Sequence, residues 1–143
     1  MKKKTYFELL LLLVITFSLT ACSIDEDNDP YYNTTENLCS KTWVETYRTV
    51  SNLYCTHKLS FAYNGVGQET FIYNNLDAYG KPLNIILNIT TSNFNWSWYN
   101  SNNECLVLDY GNNVLYFDNV WVRNDNLSGK LEGSYVNFIN DNI

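Results

Sequence analysis

The chain carries little charge, and little of that charge is positive. Only 17% of its 143 residues are charged, against a typical ~25% in globular domains. Nine Lys/Arg against 15 Asp/Glu leave a formal net charge of −6. Because binding nucleic acid requires Lys and Arg against the phosphates, this balance argues against a nucleic-acid partner. Polarity comes instead from 22 asparagines, and 12 Tyr, seven Phe and four Trp argue against a wholly disordered chain.

The chain also lacks an apolar run long enough to cross a membrane as a helix. Its longest run, residues 9–19, has 11 positions and is interrupted by Thr16 and Ser18. A bilayer core requires about 20 helical residues. Because Lys2–Lys4 precede this run, the first residues are typical of a secretory signal with a positive and then an apolar region.

The apolar run ends in Leu19-Thr20-Ala21-Cys22, which resembles the lipobox of bacterial lipoproteins. The resemblance implies cleavage between Ala21 and Cys22 and a diacylglycerol on the Cys22 sulfur. Acyl chains that contribute ~0.8 kcal/mol per buried CH₂ would hold the protein at a membrane. The alternative is an ordinary signal peptide in which the cysteine occurs by chance.

Four acidic residues within positions 25–29 follow Cys22. Such a run looks like the surface-export signal of Bacteroidota lipoproteins, which implies lipid anchoring in the outer membrane with the protein facing the cell exterior. A periplasmic lipoprotein with an acidic tether is the alternative. We therefore expect a signal peptide over 1–21, an anchored tether over 22–37 and one β domain over 38–140. Removing 1–21 leaves six Lys/Arg and 14 Asp/Glu, a net charge of −8, of which the four acids at 25–29 contribute half.

Helical periodicity is not sustained anywhere after residue 40, whereas period-two alternation and turn signals recur every ~10–14 residues. One helical turn over 34–39, capped by a threonine, is expected before the alternating region. Asn64-Gly65 predicts a type I′ hairpin turn, Gly67 a bulge, and residues 126–133 another turn. The pattern predicts an all-β meander of about eight strands, at 42–50, 58–63, 68–73, 83–90, 94–99, 105–110, 114–123 and 134–139.

Loose structural motifs in this region resemble the short lipocalin-like lipoproteins of Bacteroidota. The motifs are Leu38…Trp43, Leu59-x-Phe61-x-x-Asn64-Gly65-x-Gly67, Phe94-x-Trp96-x-Trp98, Leu106-x-Leu108-x-Tyr110 and Leu127-x-Gly129. The resemblance covers residues 38–139 and implies an antiparallel eight-stranded up-and-down barrel or flattened barrel. Residues 41–43 read Lys-Thr-Trp in place of the Gly-x-Trp of true lipocalins, so the resemblance carries over a fold and not a ligand site.

Three cysteines and one histidine are the chemically reactive side chains of the β domain. Cys55 and His57 lie two apart, as in a thiolate–imidazole pair, and with Cys39 and Cys105 they would complete a Cys₃His zinc set. No Cys-x-x-Cys spacing supports a metal, and an exported protein favours a disulfide among Cys39, Cys55 and Cys105 with the pairing left open. Asp109 with another acid such as Asp118 would suit glycoside hydrolysis. We expect neither a cofactor nor an enzyme.

The aromatic residues offer the remaining route to a ligand. Trp43, Trp96, Trp98 and Trp121 are expected in the barrel interior, either as core or as a binding wall. A barrel of ~100 residues is nearly filled by its own side chains. Three partners follow, namely a small apolar molecule at the barrel mouth, a glycan on exposed rings, or a protein at rim loops such as 74–82. The rings proposed for a glycan are Tyr63, Tyr73, Tyr79 and Tyr99.

Cys22→Ala is expected to abolish both lipid labelling and membrane retention, because alanine offers no thiol for the thioether. Incorporation of a labelled fatty acid, followed by membrane fractionation, measures both effects. Cys39→Ala is the matched control and should label like the parent chain. Continued labelling of the Cys22→Ala chain would contradict the lipoprotein prediction.

Overall fold

A computed structural model describes residues 33–142, so the predicted signal peptide, Cys22 and most of the acidic tether lie outside the described part. Eight antiparallel strands follow one another round a closed barrel in sequence order, which confirms the predicted all-β, up-and-down fold. No helix among the described residues is long and apolar enough to cross a membrane. The elements are α1 Thr35–Cys39, β1 Thr42–Arg48, β2 Tyr54–Phe61, β3 Val66–Leu76, β4 Pro82–Trp98, β5 Cys105–Asp109, β6 Val114–Val122, β7 Asn126–Leu131 and β8 Ser134–Asn140.

The predicted number of strands is correct, but the predicted division of the chain into strands is wrong in two places. The segments 83–90 and 94–99 belong to one strand, β4. Their polar link, 91–93, continues the ladder opposite residues 68–70 of β3. Conversely, the region 126–133, which was expected to be a turn, contains strand β7 and the turn that joins it to β8. The two errors offset each other in the count.

The hairpin predicted at Asn64-Gly65 is present, but its turn is not type I′. A type I′ turn requires positive φ at both central residues, and only Gly65 has it, at φ 82°. The Gly65 N–H donates to the Ala62 carbonyl, and the Val66 N–H donates to the Asn64 side chain. Gly65 therefore supplies the left-handed position that ends a longer turn.

The helix α1 covers one end of the barrel, which we call the capped end. The Thr34 hydroxyl accepts a hydrogen bond from the Asn37 N–H, as the predicted helix cap requires. Leu38 of α1 is fully buried, and its carbonyl accepts a 3.0 Å hydrogen bond from the Trp43 indole. Asn33 adds hydrogen bonds to the turn after β4 and to β6. Asn33 and Thr35, which lie within the predicted tether 22–37, thus contact the barrel directly.

The barrel interior is filled by apolar side chains from every strand except β3, whose buried residues are Gly67 and Glu69. Trp43, Phe117 and Phe138 are its largest fully buried members. Phe61 packs edge-on against the rings of Phe94 and Trp96 near the capped end. A core of this kind is close-packed, so it provides stability and leaves side chains on the outer wall to meet partners.

Strand β4 is much longer than β5, the strand that pairs with it on the side away from β3. Its 17 residues pair with β3 from Asn95 to Pro82, but they pair with β5 only over Asn95–Trp98. Residues 82–94, which we call the β4 arm, therefore have a strand on one side only within the described residues. Almost all of the arm is exposed, including its aliphatic side chains, which are Leu83, Ile85, Ile86, Leu87 and Ile89.

Gly67→Ala is expected to destabilise the barrel by about 1–3 kcal/mol, the usual cost of overpacking a core. The glycine does not form the predicted bulge, since its ladder with Phe61 and Phe94 is regular. A Cβ at this position would collide with the ring of Phe94. Urea unfolding measures the change, and the same substitution in a Phe94→Leu background should cost less. An equal cost in both backgrounds would show that the ring is not the cause.

Candidate functional site

The four tryptophans do not share one surface. Trp43 and Trp96 are buried in the core and Trp98 is half-buried against it. Trp121 is 53% exposed on the outside of β6, where the Arg123 guanidinium lies 3.9 Å from its ring centroid. The prediction that Trp121 faces the interior is therefore wrong, because Val120 and Val122 take the inward positions after a register shift. No binding wall of four rings is formed.

The barrel interior contains one buried polar network, centred on Glu69 of β3. Glu69 Oε1 lies 2.7 Å from His57 Nε2, and Glu69 Oε2 accepts a 2.8 Å hydrogen bond from the Tyr110 hydroxyl. The His57 ring stacks on Phe71 at 4.2 Å and meets Phe138 edge-on. Burial, and then the charge of Glu69, raises the pKa of Tyr110. The network satisfies its own polar groups, as buried groups must.

Cys55 and His57 share one face of β2, but their side chains do not form the reactive pair considered from the sequence. Both residues lie on the buried face of β2. His57 is bound to Glu69, whereas Cys55 lies between Tyr47 and Tyr73, its cross-strand partners on β1 and β3. Burial, and then the neighbouring Cys55 thiol, raises the pKa of both tyrosines. The imidazole is thus engaged by a carboxylate that sequence reasoning missed.

The predicted disulfide is not formed, since Cys39, Cys55 and Cys105 are all free thiols. Cys105 donates to Asp118 Oδ1 at 3.1 Å. Burial and this bond raise the pKa of Cys105 to about 11, and burial alone raises the pKa of Cys39. Within residues 33–142 no three His, Cys, Asp or Glu side chains converge as a metal site. The zinc set considered from the sequence therefore does not assemble.

The carboxylates of Asp109 and Asp118 are too far apart to act together. Asp118 pairs across from Cys105, and Asp109 stands four residues further along β5. At ~3.3 Å per residue that is about 13 Å along the strand, beyond the ~5–9.5 Å of glycosidase pairs. Asp109 instead accepts a hydrogen bond from the Gly111 N–H in the turn.

An open cleft of about 630 Å³ lies on the outer wall beside the ends of β4 and β5. The rings of Tyr99 and Tyr116 meet edge-to-face there, with centroids 6.0 Å apart. We call this feature the outer cleft. The eight residues that line it are Tyr99, Asn100, Glu104, Cys105, Tyr116, Asp118, Asn119 and Lys130.

The outer cleft presents several kinds of polar group next to aromatic surface. Asn100 and Asn119 contribute amides, Glu104 and Asp118 contribute carboxylates, and Lys130 contributes an ammonium. Asp118 accepts a hydrogen bond from the Cys105 thiol, Glu104 accepts one from the Asn102 amide, and Asn100 accepts one from the Glu104 N–H. Rings for stacking and short polar groups for hydroxyls therefore face the same space.

The predicted row of four tyrosines does not form. Tyr63 lies in the turn after β2 at the capped end, and Tyr79 lies in the turn after β3 at the opposite end. Tyr73 is half-buried and lies opposite Cys55 in the sheet. Tyr99 is exposed as expected, but its aromatic neighbour is Tyr116. The alternation of β6 could have identified Tyr116 as an exposed ring, because Tyr116 lies between Leu115 and a buried residue.

Comparison with known proteins adds no family to this description. No protein-family model, curated protein or solved structure matches the chain. The outer cleft and the filled interior are therefore the two features of the molecule that bear on its function. The Glu69 network, closed on its own partners, contributes to stability.

Glu69→Ala is expected to lower the free energy of unfolding by about 3 kcal/mol, because it leaves His57 and Tyr110 buried without their common partner. Tyr110→Phe removes a single hydrogen bond and should cost about 1 kcal/mol. Urea unfolding at neutral pH measures both variants. Equal effects would contradict the central position of Glu69 in the network.

Proposed function

We propose that the protein is a lipid-anchored, non-catalytic binding protein of the bacterial outer membrane that faces the cell exterior. The sequence Leu19–Cys22 supports the anchor, and the acidic run 25–29 supports export to the surface. The lipocalin-like character of the proposal is supported by the closed eight-stranded barrel. The ligand is expected on the outer wall and not inside the barrel.

The packed interior of the barrel supports placing the ligand on the outer wall. A lipocalin-type ligand requires an interior pocket of at least ~300 Å³. The corresponding space is occupied by core side chains, among them Trp43, Phe117 and Phe138. A small apolar ligand would have to displace part of that core, at the cost of its packing energy.

The outer cleft carries the proposal that the ligand is a glycan. The apolar face of a sugar ring stacks on an aromatic ring, and its hydroxyls exchange hydrogen bonds with amides and carboxylates. Tyr99 and Tyr116 provide the rings, and Asn100, Glu104 and Asn119 provide partners for hydroxyls. This combination is the single observation that favours a glycan-binding accessory protein over the other partners.

A protein partner is the second candidate, and a separate observation favours it. The β4 arm exposes a run of aliphatic side chains next to the loop 74–82. An exposed apolar patch on a soluble domain commonly marks an interaction surface. This surface is distinct from the outer cleft, so the two functions are compatible.

Tyr116→Ala is expected to weaken glycan binding at least about tenfold, a change of about 1.4 kcal/mol, because it removes one of the two rings of the outer cleft. A printed glycan array identifies the bound oligosaccharide, and calorimetry with that oligosaccharide gives the dissociation constants of the parent and variant chains.

Tyr63→Ala is the control, because Tyr63 is an exposed tyrosine, at 65% against 45% for Tyr116, that lies at a different site. It should bind the oligosaccharide like the parent chain. A silent array would contradict the glycan proposal, and so would equal loss of binding in both variants.

A further inference from the structure

The outer cleft continues as a row of side chains across β7 and β8. Its lining residue on β7 is Lys130, which lies opposite Asp118 of β6 on one side and opposite Tyr135 of β8 on the other. Opposite residues of an antiparallel sheet direct their side chains to the same face. Asp118, Lys130 and Tyr135 therefore form a row on the outer wall that begins inside the cleft and ends beyond it.

Tyr135 ends this row with an open aromatic ring. The residue is 80% exposed, more than Tyr99 or Tyr116. The Lys130 ammonium lies 5.2 Å from the centroid of its ring, a cation–π contact that orients the ring beside the row. Because so exposed a ring buries little apolar surface, it contributes little to the stability of the barrel. Most of its surface is therefore available to a partner, next to the cleft.

The spacing of the rings determines the size of the partner that can use all of them. Two strand intervals separate Asp118 from Tyr135, which places their backbones about 10 Å apart. Tyr116 lies two residues before Asp118 on β6 and is farther still from Tyr135. A sugar ring is about as wide as a tyrosine ring, so a sugar stacked on Tyr116 cannot also stack on Tyr135. Only linked sugars can contact both.

We propose that the outer cleft and Tyr135 form one extended site for an internal stretch of a linear oligosaccharide. One sugar stacks at Tyr99 and Tyr116, and a later sugar of the same chain stacks on Tyr135. Asp118 and Lys130 lie between these positions and exchange hydrogen bonds with the hydroxyls of the sugar that joins them. This inference rests on the glycan-binding function proposed above, and it specifies a chain that passes through the cleft in place of a single terminal sugar.

Trp121 marks the alternative direction along the outer wall. It is also exposed on β6, but it lies opposite Ser128, two residues from Lys130 toward the capped end. Its ring stacks with the Arg123 guanidinium, whereas the cleft residue Lys130 contacts Tyr135. The contacts therefore favour a path across β7 and β8 over a path along β6.

Tyr135→Ala is expected to weaken binding of a hexasaccharide about tenfold and to leave binding of the disaccharide of the same linkage unchanged, because only the longer chain reaches Tyr135. The two probes are made from the glycan selected on the printed array, and calorimetry gives their dissociation constants. Tyr116→Ala should weaken binding of both probes. Trp121→Ala is the matched control on the same wall and should bind both like the parent chain. The melting temperature of Tyr135→Ala should equal that of the parent.

Three results would overturn the extended site and leave glycan binding in place. The first is a Tyr135→Ala chain that binds the hexasaccharide like the parent while Tyr116→Ala loses binding. The second is a loss in Tyr135→Ala that is equal for the two probes, since the ring would then not act on the longer chain alone. The third is a loss in Trp121→Ala as large as in Tyr135→Ala. A silent array would contradict the glycan-binding function itself and the extended site with it.

Discussion

Trp43 holds together the closure on which the rest of the barrel depends. Its backbone pairs with Leu59 of β2 on one side and with Asn140 of β8 on the other, at a seam where β1 and β8 share only two residue pairs. Its fully buried ring fills the interior, and its indole N–H fixes the cap through the Leu38 carbonyl. Trp43 therefore both closes the sheet and fills the centre of the barrel. Side chains that meet a ligand must consequently lie outside.

The second constraint is the difference in length between β4 and β5. Barrel closure needs only the four residues Asn95–Trp98 of β4. The remainder runs on beside β3 and leaves the β4 arm, an uncharged edge on an otherwise acidic domain. The short β5 also brings the turn after Tyr99 next to β6, which assembles the outer cleft. One mismatch thus produces both surfaces to which we assign a partner.

The fold could be predicted from the sequence because period-two alternation reports which face of a strand is buried. Leu59 and Phe61 alternate cleanly, and so do Phe94 and Trp96. The alternation gives the wrong result at 91–93, because both faces of β4 are exposed to solvent there and a run of polar residues in a strand resembles a turn. Trp121 was misplaced because the irregularity after Asp118 reverses the alternation.

The sites were less predictable because they join residues from distant strands. Glu69 meets His57 and Tyr110 from β2 and from the end of β5, and nothing local in the sequence indicates that meeting. The pair of Tyr99 and Tyr116 likewise depends on the register of β5 with both neighbours. A sequence can show which rings are available, but only the register determines which of them share a surface.

The most direct test of ligand binding on the outer wall is a backbone amide chemical-shift map of the ¹⁵N-labelled protein during titration with the bound oligosaccharide. The account predicts shifts confined to residues 99–105, 116–119, 130 and 135, with the amides of Leu59, Leu108 and Phe138 unchanged. Shifts concentrated at those three inward-facing residues would show that the ligand enters the barrel, and would contradict the account.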